Sequence, residues 1–128
     1  MEDTNLLLVD DDVDWGETTA ALLEHERESL DVRYVSDADE AVEEFEEGFD
    51  CVLADYNMPG VDGIDLLEIV RDDYPDLPYI LITSQGSEDV ASEAVSKGVT
   101  DYIVKRPGDD QTDTIVNRVE NAVRSYRA

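Results

Sequence analysis

Apolar positions in this chain follow two periods in alternation. Leu6-Leu7-Leu8-Val9, Cys51-Val52-Leu53-Ala54, Tyr79-Ile80-Leu81-Ile82 and Tyr102-Ile103-Val104 are short unbroken runs, the pattern of strands buried on both faces. Between and after them the spacing becomes helical. Ile115, Val116, Val119, Ala122, Val123 and Tyr126 share one face of a final helix, and Val90, Ala91, Ala94 and Val95 share a face of the one before it. Ser87 is placed to cap that earlier helix, and Gly98 lies just past its end. Gly48 ends the second helix, and Pro75 and Pro78 break the chain before the fourth strand. The predicted strands are 5–9, 32–36, 50–54, 78–83 and 100–104, and the predicted helices 14–28, 37–47, 63–73, 87–97 and 111–127.

This alternation predicts an α/β fold: a doubly wound, flavodoxin-like sheet of five parallel strands in the order 2-1-3-4-5, flanked by five helices. With 128 residues and no internal repeat or linker, the whole of 1–128 is expected to form a single domain. Ligands of such sheets bind beyond the carboxyl ends of the strands, where strands one and three diverge.

Charge narrows the classes of partner. The chain has 34 acidic and 9 basic residues, a net charge of -25, which repels nucleic acid and anionic membranes. The 41% of apolar residues, set in periodic blocks, argues against disorder and for a folded, halophile-type surface whose like charges are screened by salt. Lysine is scarce, with only Lys97 and Lys105. The single cysteine, Cys51, leaves no disulfide within the chain. No signal segment or membrane span is apparent, so a soluble cytoplasmic protein is expected.

The chemistry-bearing residues fall at the strand ends. Asp10, Asp11 and Asp12 follow the first strand, Asp55 ends the third, Thr83 ends the fourth and Lys105 follows the fifth. Most acidic residues here are solvated surface, but Asp10, Asp11 and Asp55 directly follow apolar runs and so converge on one rim. Carboxylates sharing a rim repel one another and raise each other's pKa. A hard divalent cation relieves that repulsion. Lys105 adds a charge for a phosphoryl oxygen, and Thr83 adds a hydroxyl. The set describes a phosphoryl site beside a metal ion, with a carboxylate able to act as nucleophile.

On the segments Leu-Leu-Leu-Val-Asp-Asp-Asp at 6–12, Asp-Tyr-Asn-Met-Pro-Gly-Val-Asp-Gly at 55–63, Ile82-Thr83 and Tyr-Ile-Val-Lys at 102–105, the chain resembles the receiver domains of two-component response regulators. The resemblance implies that Asp55 is the phosphoacceptor and that Mg²⁺, or Mn²⁺, is held by Asp10, Asp11, Asp55 and the backbone carbonyl of Asn57, with Asp11 the more direct ligand. It implies that Thr83 and Tyr102 form the switch and that Lys105 pairs with the phosphate. Asn57 and Gln85 would tune dephosphorylation by orienting water. The implied partners are a sensor histidine kinase or phosphotransfer protein, and a downstream protein on the surface of the fourth helix, fifth strand and fifth helix. Such a domain is no general enzyme; it catalyses only its own phosphorylation and dephosphorylation.

Other acidic positions have plainer expected roles. Asp12 and Asp14 suit the cap and first turn of the first helix, Asp62 suits the turn before Gly63, and His25 suits solvent. One departure from the family stands after the fifth strand, where Arg106 separates Lys105 from Pro107; the family's lysine-proline pair is adjacent with a cis peptide. The rival reading is an aspartyl-phosphate phosphohydrolase of the haloacid dehalogenase type, using Asp10-x-Asp12, Thr83, Lys105 and Gly108-Asp109-Asp110. That reading leaves Asp55 without a role.

Overall fold

A computed structural model of the chain describes residues 3–84, 88–106 and 108–127. Its strands are β1 (Thr4–Val9), β2 (Leu30–Val35), β3 (Cys51–Asp55), β4 (Tyr79–Thr83) and β5 (Asp101–Val104). They alternate with α1 (Val13–Glu26), α2 (Ala38–Glu44), α3 (Gly63–Asp73), α4 (Glu88–Ser96) and α5 (Thr112–Arg127). The strands pair in the order β2-β1-β3-β4-β5, and every pairing is parallel, as the alternation predicts.

Strand side chains alternate between two cores. Leu7, Val9, Val52, Ala54 and Leu81 pack with Ala41 of α2, Leu67 of α3 and Ala94 of α4. Leu6, Leu8, Leu53, Ile80 and Ile103 pack with Leu23 of α1 and Ile115, Val119 and Val123 of α5. Cys51 belongs to the second core as a buried free thiol.

Helix starts follow local chemistry. Asp12 caps α1 by accepting from the Trp15 N–H at 3.1 Å, and Asp62 and Asp65 form a capping box at α3. Asp14 lies in the first turn of α1, where a negative charge suits the helix dipole. These aspartates have the plain roles expected of them, and His25 is exposed. Gly63 has a specific steric reason, since a Cβ there would come within 2.5 Å of the Asp55 carbonyl oxygen.

The differences from expectation lie at edges. β2 starts at Leu30 because that side chain is buried and pairs with Thr4. α1 ends at Glu26, where the Arg27 N–H closes onto the Leu23 carbonyl. α2 is followed by a 3-10 turn, Phe45–Glu47, before Gly48 reverses the chain at φ 86°. Tyr126 and Val95 match the periodicity of their helices yet are 49% and 71% exposed. Ser87 lies outside the described residues. Among the described residues, no helix is long and apolar enough to cross a membrane.

Candidate functional site

Parallel pairing brings the ends of β1, β3, β4 and β5 to one rim. Asp10 follows β1, and its N–H continues the ladder by donating to the Val35 carbonyl. Asp55 is the last residue of β3, and the Lys105 N–H donates to the Thr83 carbonyl at 2.7 Å, extending the β4–β5 pairing past Val104. Asp10 is 0% exposed and Asp55 4%, whereas Asp11 stands in solvent.

Lys105 is the hub. Its Nζ lies 2.6 Å from Asp10 Oδ2 and 3.6 Å from Asp55 Oδ1. The same ammonium sits over the Trp15 ring, 4.1 Å from its centroid, within cation–π range. Asp10 Oδ1 accepts from the Asp12 N–H at 2.8 Å, and the Asp10 carbonyl accepts from the Tyr34 hydroxyl at 2.6 Å. Both carboxylate oxygens of Asp10 and its carbonyl oxygen therefore have a partner.

Burial pushes the Asp10 carboxyl above its ordinary value, with the bond to Lys105 and the Asp12 N–H pulling the other way. Asp55 is pushed up to about 6, first by burial and then by the charge of Asp10, against the smaller pull of Lys105. One carboxylate oxygen from each of Asp10, Asp11 and Asp55 can be chosen so that all three lie within 4.8 Å of one another. Asp55 Oδ1 is buried without a hydrogen-bond partner among the described residues. A buried anionic oxygen beside two further carboxylates is what a hard cation with oxygen ligands relieves, so these residues fit Mg²⁺. Asp12 is not in the cluster, since its side chain caps α1.

The expected switch residues share a place. Thr83 is fully buried, and Tyr102 packs with the core that contains Leu81. Tyr102 pairs with Leu81, two residues before Thr83, so Tyr102 and Thr83 are diagonal neighbours on one face of the sheet. The Tyr102 hydroxyl is buried with no hydrogen-bond partner among the described residues. Asn57 is exposed and lines the cleft above Asp55. Gln85 and Pro107 lie outside the described residues. Two arginines near the expected partner surface are already paired, Arg118 with Asp101 at 2.7 Å and Arg127 with Asp50 at 3.2 Å.

The cleft encloses about 1010 Å³ and runs from Asp11, Asp55 and Lys105 outward between Trp15 and Leu22 of α1 and Thr112 and Ile115 of α5. Sequence reasoning missed three residues that build the site around it. Trp15 was legible only as the chain's one tryptophan, placed just after the acidic run. Tyr34 and Gln111 carried no signal, because their importance lies in what they bond to. Gln111 Oε1 accepts from the Arg106 N–H and Gln111 Nε2 donates to the Val104 carbonyl, both at 2.8 Å, so one side chain clamps the backbone on either side of Lys105.

Residues 6–118 match the family described as the response regulator receiver domain. The phosphoglycerate transport system transcriptional regulatory protein PgtA of Salmonella typhimurium is 35% identical over 128 residues, 99% of this chain and 30% of its own length. Response regulator protein FleR of Pseudomonas aeruginosa is 49% identical over 59 residues, 46% of this chain and 12% of its own. The chain thus spans less than a third of these curated relatives. Among solved structures, the Francisella response regulator 1452 receiver domain is 26% identical, with a TM-score of 0.84 over 96% of this chain and 98% of that one. A receiver domain protein from Methanospirillum hungatei shares the fold with a TM-score of 0.87 at 24% identity, over 98% of both chains.

Proposed function

Because this chain belongs to the response regulator receiver domain family, we propose that it takes a phosphoryl group from a histidine kinase or phosphotransfer protein onto Asp55. The observation that carries this is the pairing of a buried, under-bonded Asp55 oxygen with a lysine ammonium 3.6 Å away. With its pKa near 6, Asp55 is mostly ionised at neutral pH and able to attack. An Asp55 carboxylate oxygen forms a bond to phosphorus as the bond from phosphorus to the donor's imidazole nitrogen breaks, and the electron pair leaves with the imidazole. Asp10, Asp11, Asp55 and the Asn57 carbonyl would hold Mg²⁺, which supplies positive charge against the phosphoryl oxygens. Lys105 stands where its ammonium can turn from Asp10 toward a phosphoryl oxygen on Asp55. Thr83 and Tyr102 would then carry the change to the α4–β5–α5 surface for a downstream protein. Asn57 and Gln85 would set how fast water removes the group.

The dense acidic surface is best read as adaptation to a salty cytoplasm. The chain would catalyse only its own phosphorylation and dephosphorylation.

Incubation with acetyl phosphate and Mg²⁺, followed by intact mass analysis, should show one added phosphoryl group that is absent from Asp55→Asn. Uptake by Asp55→Asn at the wild-type rate, or uptake on Asp10, would overturn the assignment and favour the hydrolase reading.

A further inference from the structure

We propose that Trp15 is a positioning residue for Lys105, holding its ammonium at the rim by a contact that neither metal nor phosphoryl binding consumes. The inference rests on the reading of Asp55 as phosphoacceptor.

Lysine is a compact charge on a flexible four-carbon stem, so fixing its backbone does not fix its head. The backbone of Lys105 is fixed twice, by the Thr83 carbonyl and by the amide of Gln111 that bonds on either side of it. The head is held by Asp10 at 2.6 Å, by Asp55 at 3.6 Å and by the indole at 4.1 Å. Two of these three contacts are to carboxylates of the metal cluster. A cation in that cluster competes for the same oxygens, and a phosphoryl group on Asp55 changes that partner's charge and shape. The indole face is neutral, binds no hard cation and accepts no phosphoryl group. It alone attracts the ammonium equally in every state of the site.

Trp15 is aimed by its neighbours. The Asp12 cap fixes its backbone at the start of α1. Gly16, the next residue, is pressed against the Tyr34 ring, where a Cβ would stand only 2.2 Å from Tyr34 Cε1. That contact seats α1 closely against β2 one residue from Trp15. Trp15 is half-buried and lines the cleft beside Lys105. With the ammonium already near Asp55, the lysine pays less entropy when it meets the phosphoryl oxygens.

The chain has only two lysines, Lys97 and Lys105, so labelling lysine with ¹³C at the ε position gives two signals to follow. In wild type the Lys105 ε-methylene should lie upfield of Lys97 through the indole ring current, both without and with Mg²⁺ and beryllofluoride. Trp15→Leu should bring it to the position of Lys97, and Trp15→Phe should keep part of the shift. The second-order rate of phosphoryl uptake from acetyl phosphate should fall about tenfold in Trp15→Leu and recover mostly in Trp15→Phe. A Lys105 signal that is unshifted in wild type overturns the proposal, as does loss of the shift on adding Mg²⁺ and beryllofluoride. An unchanged uptake rate in Trp15→Leu, or an equal loss in Trp15→Phe, also overturns it. If wild type takes up no phosphoryl group, the functional reading fails, and the Lys105 signals decide by themselves whether Trp15 holds the ammonium.

Discussion

Lys105 is bound more tightly to Asp10 than to Asp55: its Nζ lies 2.6 Å from the first and 3.6 Å from the second. The Asp55 carboxylate is therefore the less satisfied of the two buried anions, and this has a thermodynamic signature. The pKa of Asp55 is raised from 3.8 to about 6, so between these values the folded state binds more protons than the unfolded one. Stability then falls as pH rises through that window and stays lowered above it.

Asp55→Asn removes this burden. In metal-free buffer at pH 7 it is expected to be more stable than wild type by about 3 kcal/mol, with the difference shrinking toward zero near pH 4. Urea melts at several pH values measure this. A wild-type protein that is the more stable at pH 7 would contradict the raised pKa.

Proton and metal compete for the same oxygens. Since Asp10 and Asp55 are both shifted upward, Mg²⁺ affinity should be constant above neutrality and fall steeply below about pH 6. Calorimetric titration with Mg²⁺ from pH 5 to 8 checks this; an affinity that is flat to pH 5 would place the ion elsewhere.

Asp11 and Asp12 are neighbours with separable roles. Asp11 supplies an oxygen to the acidic cluster, whereas Asp12 caps α1. Asp11→Ala should weaken Mg²⁺ binding at least tenfold (roughly the effect of losing one charged ligand) with little loss of stability. Asp12→Ala should cost about 1 kcal/mol of stability and leave Mg²⁺ binding near wild type. The same pair of titrations and melts distinguishes them.

At a net charge of -25, self-repulsion spans the molecule at low ionic strength and is confined to about 3 Å near 1 M salt. The thermal midpoint is expected to rise between 50 mM and 2 M KCl (roughly a sixfold shortening of the screening length). A flat or falling midpoint would remove salt adaptation as the reason for the acidity without touching the site.

How much of this was legible in the chain follows from what each residue depends on. Asp10, Asp55 and Lys105 could be placed because each ends an apolar run, and a parallel sheet brings all such ends to one rim. Asp12 and Asp62 could be placed because capping is local. Trp15 and Gln111 could not, since a ring face over an ammonium and an amide spanning β5 and its loop are contacts between elements. Tyr126 and Val95 show the opposite failure. Helical spacing marks them as core, but spacing does not say which positions of a face another element covers.

The Tyr34 ring against Gly16 has a consequence for how the domain is put together. β2 is an edge strand with an alternating, half-exposed pattern, the kind whose pairing is weakly fixed by burial alone. Sliding it by one residue would turn Tyr34 to the other face, empty the notch at Gly16 and strip the hydroxyl from the Asp10 carbonyl. The tyrosine thus works as a peg in a slot: the edge strand seats in one alignment only, and that alignment squares up the acidic rim. Edge and rim are expected to lose order together, with backbone amides of β2 and of Asp10 exchanging with solvent as one cooperative unit ahead of β3 and β4.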